Sequence, residues 1–154
     1  MIKHTRLAGL FLLVGCALGI FGCSTSDLPA SASFANVTIT GFSAAEINKA
    51  TMAVFKENGY EDPLVGPKDM TFYKEGSRSD TLAYDGLRAV QQGESSQKRV
   101  DTELVKLGEK NYRLQCQAYI MSNLSGSRER ENKIPRRKNG PYQDMLDDVA
   151  AQMR

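Results

Sequence analysis

In residues 98–121, KRVDTELVKLGEKNYRLQCQAYIM, apolar and polar side chains alternate on both sides of a four-residue break. Val100, Thr102 and Leu104 share one face of the first half. Tyr112, Leu114, Cys116, Ala118 and Ile120 share one face of the second, against Arg113, Gln115, Gln117 and Tyr119. A period of two is the signature of a strand, because successive Cβ atoms point to opposite sides. Gly108-Glu109-Lys110-Asn111 between the runs reads as a hairpin turn. One oily face and one polar face imply an antiparallel sheet that is covered on one side only.

The neighbouring segments supply the cover. Residues 34–40 alternate around Val37 and Ile39 and read as a first strand. Ser43-Ala44-Ala45-Glu46 is a capping box that opens a helix, with Ile47, Ala50, Thr51, Val54 and Phe55 on one face and Asn58-Gly59 as its stop. Pro63, Gly66 and Pro67 mark a loop, and residues 70–74 a short strand with Met70 and Phe72 on one side. From Thr81 to Val90 the apolar positions Leu82, Tyr84, Leu87 and Val90 match neither period, so helix and strand both stay open. A short edge strand is expected near residues 131–135. Pro141 begins a final helix with the stripe Tyr142, Met145, Leu146, Val149 and Met153. The expected fold is therefore α+β: a two-layer sandwich with an antiparallel sheet of about four strands, covered on one face by two helices.

The N-terminus has a different character. Lys3, His4 and Arg6 precede an apolar run from Leu7 to Phe21, and Gly22-Cys23-Ser24-Thr25-Ser26 follows. Charge, oil, small residue and cysteine in that order make a secretory leader with a cleavage site. The segment resembles the lipobox of bacterial lipoproteins, whose cysteine is acylated and becomes the new N-terminus. Leu13-Val14-Gly15-Cys16 fits the box pattern more closely, but the apolar run continues past it and ends only before Cys23. Cys23 is the expected acylated residue and Cys16 the alternative. An uncleaved anchor ranks lower, since the run is shorter than the roughly 20 residues of a spanning helix. The resemblance implies diacylglycerol and fatty-acyl anchoring, a periplasmic domain and, with Ser24 rather than aspartate after the cysteine, the outer membrane. The expected division is a signal peptide at 1–22, a lipidated cysteine and flexible tether at 23–33, and one domain at 34–154.

Composition narrows the chemistry. Of 20 basic and 18 acidic residues, Lys3 and Arg6 fall in the leader, which leaves 18 of each sign. No basic excess speaks for nucleic acid. The single histidine, His4, is also in the leader, which removes much metal, acid–base and nucleophile-activating chemistry from the domain. With Cys16 removed in the leader and Cys23 acylated, Cys116 is the one thiol left, and its alternation with Leu114 and Ala118 makes it a core residue rather than a redox group. Asp144, Asp147 and Asp148 read as a solvated helix face, since no ligand-bearing loop accompanies them. Arg128, Arg130, Lys133, Arg136, Arg137 and Lys138 are the strongest local charge signal. They suit contact with anionic lipid, or a solvated segment that keeps an edge strand from pairing with strangers. Asn36-Val37-Thr38 and Asn123-Leu124-Ser125 match the glycosylation pattern by chance. Tyr60, Tyr73, Tyr84, Tyr119 and Tyr142 suit either an interface or the rim of a small core.

The expectation is a non-catalytic, membrane-anchored envelope lipoprotein that acts as an adapter or assembly partner, with no cofactor and no metal. Its partners would be the membrane, through the anchor, and an envelope protein or lipid. The alternative is a periplasmic lipid or small-ligand binder with a pocket between sheet and helices.

Overall fold

The computed structural model describes residues 33–122 and 130–154. Among them the chain runs through β1 (Ala35–Thr40), α1 (Ala44–Glu57), β2 (Leu64–Val65), β3 (Asp69–Glu75), α2 (Arg78–Gln91), β4 (Ser96–Gly108), β5 (Asn111–Ser122), β6 (Arg130–Lys133) and α3 (Gly140–Gln152), with a 3₁₀ turn at Arg136–Lys138 before α3. The strands form one antiparallel sheet in the order β1-β5-β4-β3-β2. β6 also pairs with β5, beyond β1, so that β1 and β6 occupy one edge of the long strand end to end.

The hairpin forms with the expected faces. Val100 lies opposite Ala118, Thr102 opposite Cys116 and Leu104 opposite Leu114, which collects the apolar positions on one face. The pairing shifts between Lys106 and Gly108, and Lys110 in the turn takes a φ of +47°. The same face of β3 presents Met70 and Phe72, and that of β1 presents Ala35 and Ile39; all four are buried. Three helices pack against this sheet. Phe55 of α1 stacks on Phe72 at 4.3 Å between ring centroids. Tyr142, Met145, Leu146 and Val149 of α3 enter the same core cluster. Thr81 of α2 accepts a hydrogen bond from the Ser96 amide at 3.1 Å.

Two counts in the expected architecture are corrected. The sheet has six strands rather than about four, in part because β2 has two residues, too few for alternation to show. Three helices rather than two pack on it, because Thr81 to Val90 belongs to α2. The helix starts at a second capping box among the described residues. The Ser77 amide donates to Asp80 at 2.8 Å, and the Asp80 amide donates back to the Ser77 hydroxyl at 3.2 Å. Gly86 breaks the helical backbone at φ +84° and ψ 176°. The residues on either side of it are therefore out of helical phase, so no single period runs through Leu82, Tyr84, Leu87 and Val90.

The outer edge of β1 is covered by a side chain. The Asn36 amide donates to Gln143 Oε1 at 3.1 Å, and Gln143 Nε2 donates to the Asn36 carbonyl at 2.9 Å. The carboxamide thus stands in for a peptide of a further strand and closes part of an edge otherwise open to pairing. Among the described residues, no helix is long and apolar enough to cross a membrane. Cys16, Cys23 and the tether up to residue 32 lie outside the described residues.

Candidate functional site

A cleft of about 480 Å³ opens between the sheet and the helices. Three phenols, three lysines and a carboxylate line it above an apolar floor. The polar groups arrive from several different elements.

Tyr60 is delivered by the end of α1. The Tyr60 amide donates to the Phe55 carbonyl at 3.0 Å and the Gly59 amide to the Lys56 carbonyl at 3.0 Å, with Gly59 at φ +81°. This is a Schellman ending, in which only glycine takes the left-handed position without a Cβ penalty. Its usual apolar contact is present as well: the rings of Tyr60 and Phe55 lie 5.3 Å apart at 61°. Lys74 of β3 donates to the Asn58 carbonyl at 2.7 Å, at the negative end of the α1 dipole, and its ammonium stands 5.6 Å over the Tyr60 ring.

Tyr84 and Asp80 come from α2. Asp80 closes the capping box and also pairs with Lys98 of β4 at 2.9 Å. Thr81 to Ser96 and Asp85 to Ser122 tie the helix to β4 and β5 by hydrogen bonds. Lys138, from the 3₁₀ turn, holds its ammonium 5.7 Å over the Tyr84 ring. Tyr142 follows Pro141 in the first turn of α3. The carboxamide of Asn139, just before α3, donates to the Phe34 carbonyl at 2.8 Å, and the Phe34 and Tyr142 rings meet edge-on at 5.2 Å. Ile120, Ile134 and Met145 form the floor.

The electrostatics follow from burial and pairing. Burial pushes the Tyr60 phenol far above its ordinary range and Tyr142 up to about 12. Both stay protonated at neutral pH, as hydrogen-bonding groups on aromatic plates. Burial would raise Asp80, but hydrogen bonds from Ser77 and Lys98 outweigh it and hold the carboxyl below its ordinary value of 3.8. Because the folded value is depressed, the contribution of Asp80 to stability is complete above the ordinary value and is lost as pH falls through the folded one. Asp80→Asn should cost about 1 kcal/mol of unfolding free energy at neutral pH. It should also flatten the acid limb of the stability–pH profile, as measured by urea denaturation between neutral pH and the carboxylate range.

The remaining candidates are dispersed. Cys116 is buried, and burial alone pushes its thiol up to about 12, which suits a core residue and not a nucleophile. Asp144, Asp147 and Asp148 are exposed on α3. Of the basic run, Arg128 lies outside the described residues, as does Asn123. Arg130 and Lys133 belong to β6, where Lys133 sits opposite Tyr119 and lines a hollow on the polar side of the sheet. Arg136, Arg137 and Lys138 form the 3₁₀ turn, and Lys138 lines the cleft. The segment therefore feeds cations to two separate places.

On the polar face, Arg99 of β4 pairs with Asp101 at 3.1 Å and with Glu131 of β6 at 3.0 Å, and lies 4.5 Å over the Tyr119 ring. That cluster stitches β6 to β4 across β5. Sequence reading missed the convergence of Lys74, Lys98 and Lys138, which are scattered over 65 positions of the chain (74 to 138, inclusive). The legible signal was Ser77-Arg78-Ser79-Asp80, a capping pattern of the same kind as Ser43 to Glu46. No family model matches the chain, and no curated protein and no solved structure matches it either.

Proposed function

We propose that this protein is a membrane-anchored envelope lipoprotein, acylated at Cys23, whose domain is a non-catalytic binding module that receives a small ligand between sheet and helices. The observation that carries this reading is the cleft of about 480 Å³, within the range of roughly 300–1,000 Å³ usual for small-molecule sites. It combines a few convergent polar groups with an apolar floor, the usual composition of such sites. The leader and its cysteine support the anchoring half, because two or more acyl chains make membrane association stable.

Each half has its own test. Cys23→Ser should move the protein out of the membrane pellet, whereas Cys16→Ser should leave it there; the reverse pattern would reassign the anchor. Native mass spectrometry of the full chain, gently released from membranes, should show a bound mass beyond the acyl modification. Repeated spectra of protein carrying only its anchor would count against a ligand.

An adapter role, docking another envelope protein, is favoured by a separate feature. Leu64 and Val65 of β2 are each 66% exposed at the outer edge of the sheet. Exposed apolar residues on an edge strand suit strand addition by a partner. If this role holds, Val65→Asp should abolish in-cell crosslinks to a specific envelope protein without changing the amount of folded protein.

A further inference from the structure

Taking the cleft as a ligand site, we infer that its ligand is a single-chain anionic amphiphile, with a carboxylate or phosphate head among Lys74, Lys98 and Lys138 and a tail over Ile120, Ile134 and Met145. This step rests on the proposed binding function and names the chemistry of that same site.

Charge selects the head. Three ammonium groups from β3, β4 and the 3₁₀ turn line one cleft against a single carboxylate, Asp80, which is already paired with Lys98. The surplus is two positive charges, in a domain whose sequence nearly balances overall. Tyr60, Tyr84 and Tyr142 add hydrogen-bonding phenols to the same lining. Clefts lined by one sign of charge between low-dielectric walls concentrate the opposite ion. Lysines serve here as compact point charges on flexible stems, suited to a head that is not gripped in one fixed geometry. Lys74 and Lys138 each stand over a tyrosine ring, Lys74 also donates to the Asn58 carbonyl at 2.7 Å, and among the described residues neither forms an ion pair with a carboxylate.

The floor selects the tail. Ile120, Ile134 and Met145 lie at the base of the cleft, 1%, 6% and 5% exposed, so a tail would meet only the edges of their aliphatic and thioether groups, contacts that an inorganic anion would not use. Methionine adapts to irregular apolar shapes. A volume of about 480 Å³ lies toward the small end for ligand sites and suits one chain rather than the paired chains of a diacyl lipid.

The test uses the full chain held in phosphatidylcholine nanodiscs, with isoleucine and methionine methyl labels. It is titrated separately with octanoate, octyl phosphate, octyl glucoside and inorganic phosphate. Octanoate and octyl phosphate should shift the methyls of Ile120, Ile134 and Met145 in a saturable, salt-sensitive way and leave Ile39 and Ile47 unmoved. Octyl glucoside and inorganic phosphate should each bind at least about tenfold more weakly. Lys138→Gln, on an exposed turn, should weaken octyl phosphate about fivefold and leave octyl glucoside unchanged.

The failures separate cleanly. Octyl glucoside binding as well as octyl phosphate would overturn the anionic head while leaving the binding reading intact. Inorganic phosphate binding as tightly as octyl phosphate would overturn the amphiphile. Silence from all four probes, with no bound mass on the purified protein, would overturn the inference and the binding function together.

Discussion

Phe72→Ala should lower the unfolding free energy by about 3–5 kcal/mol, the usual cost of emptying a fully buried aromatic site. Phe72 is 0% exposed at the centre of β3, opposite Val100. Its ring stacks on Phe55 at 4.3 Å and 21°, and meets Tyr60 edge-on at 6.5 Å and 82°. The loss therefore combines the transfer term, the cavity and two aromatic contacts, each of which adds to simple area burial. Urea denaturation of the full chain is the measurement. Phe72→Leu should cost clearly less, because most of the volume is kept. The substitution also reaches the cleft: Tyr60 leans on Phe72 and lines the cleft, so removal of the Phe72 ring unseats one wall of the site. An alanine variant within 1 kcal/mol of the parent would mean that this three-ring cluster is not the keystone between α1 and the sheet.

Gly76→Ala should be the most damaging single-methyl addition at a described glycine, at about 1–3 kcal/mol. The backbone here is not in the left-handed region, so strain in φ is not the cause. A Cβ at this position would lie 2.7 Å from the Ser96 carbonyl oxygen, which itself accepts from the Gly76 amide at 2.8 Å. Backbone cannot swing aside as a side-chain tip can. The end of β3 and the start of β4 would be forced apart, and with them the Thr81–Ser96 contact that holds the first turn of α2. Hydrogen exchange should report faster amides at Thr81 and Ser96 before any global loss. Gly140→Ala is the control: nothing lies within 4 Å of its Cβ position, and stability should hardly change.

Both predictions concern contacts between segments distant in sequence, whereas much of the local structure was legible directly. The β4–β5 hairpin was readable because a one-residue slip would send every apolar side chain to the wrong face, so the pattern itself encodes register. The start and stop of α1 were readable because Ser43, Glu46 and Gly59 satisfy the helix ends through partners within a few residues. Cys116 and the α3 stripe followed from the same periodicities. α2 was illegible as a single pattern because Gly86 resets its phase. β2 was illegible because two residues cannot display a period.

The site divides in the same way. Sequence determined that the domain has no histidine, that its charges nearly balance, and that the hairpin carries one oily and one polar face, since these are properties of composition and of near neighbours. It also carried the leader-like stretch that ends at Cys23. Only the tertiary structure decided that Lys74, Lys98 and Lys138 meet above Ile120, Ile134 and Met145, and that the basic run divides between the cleft and the polar face of the sheet. The physical reason is that local hydrogen bonding and side-chain period specify elements one at a time. A cleft, by contrast, exists only where several elements fail to fill the space between them, and that depends on how their side chains pack across long separations in the chain.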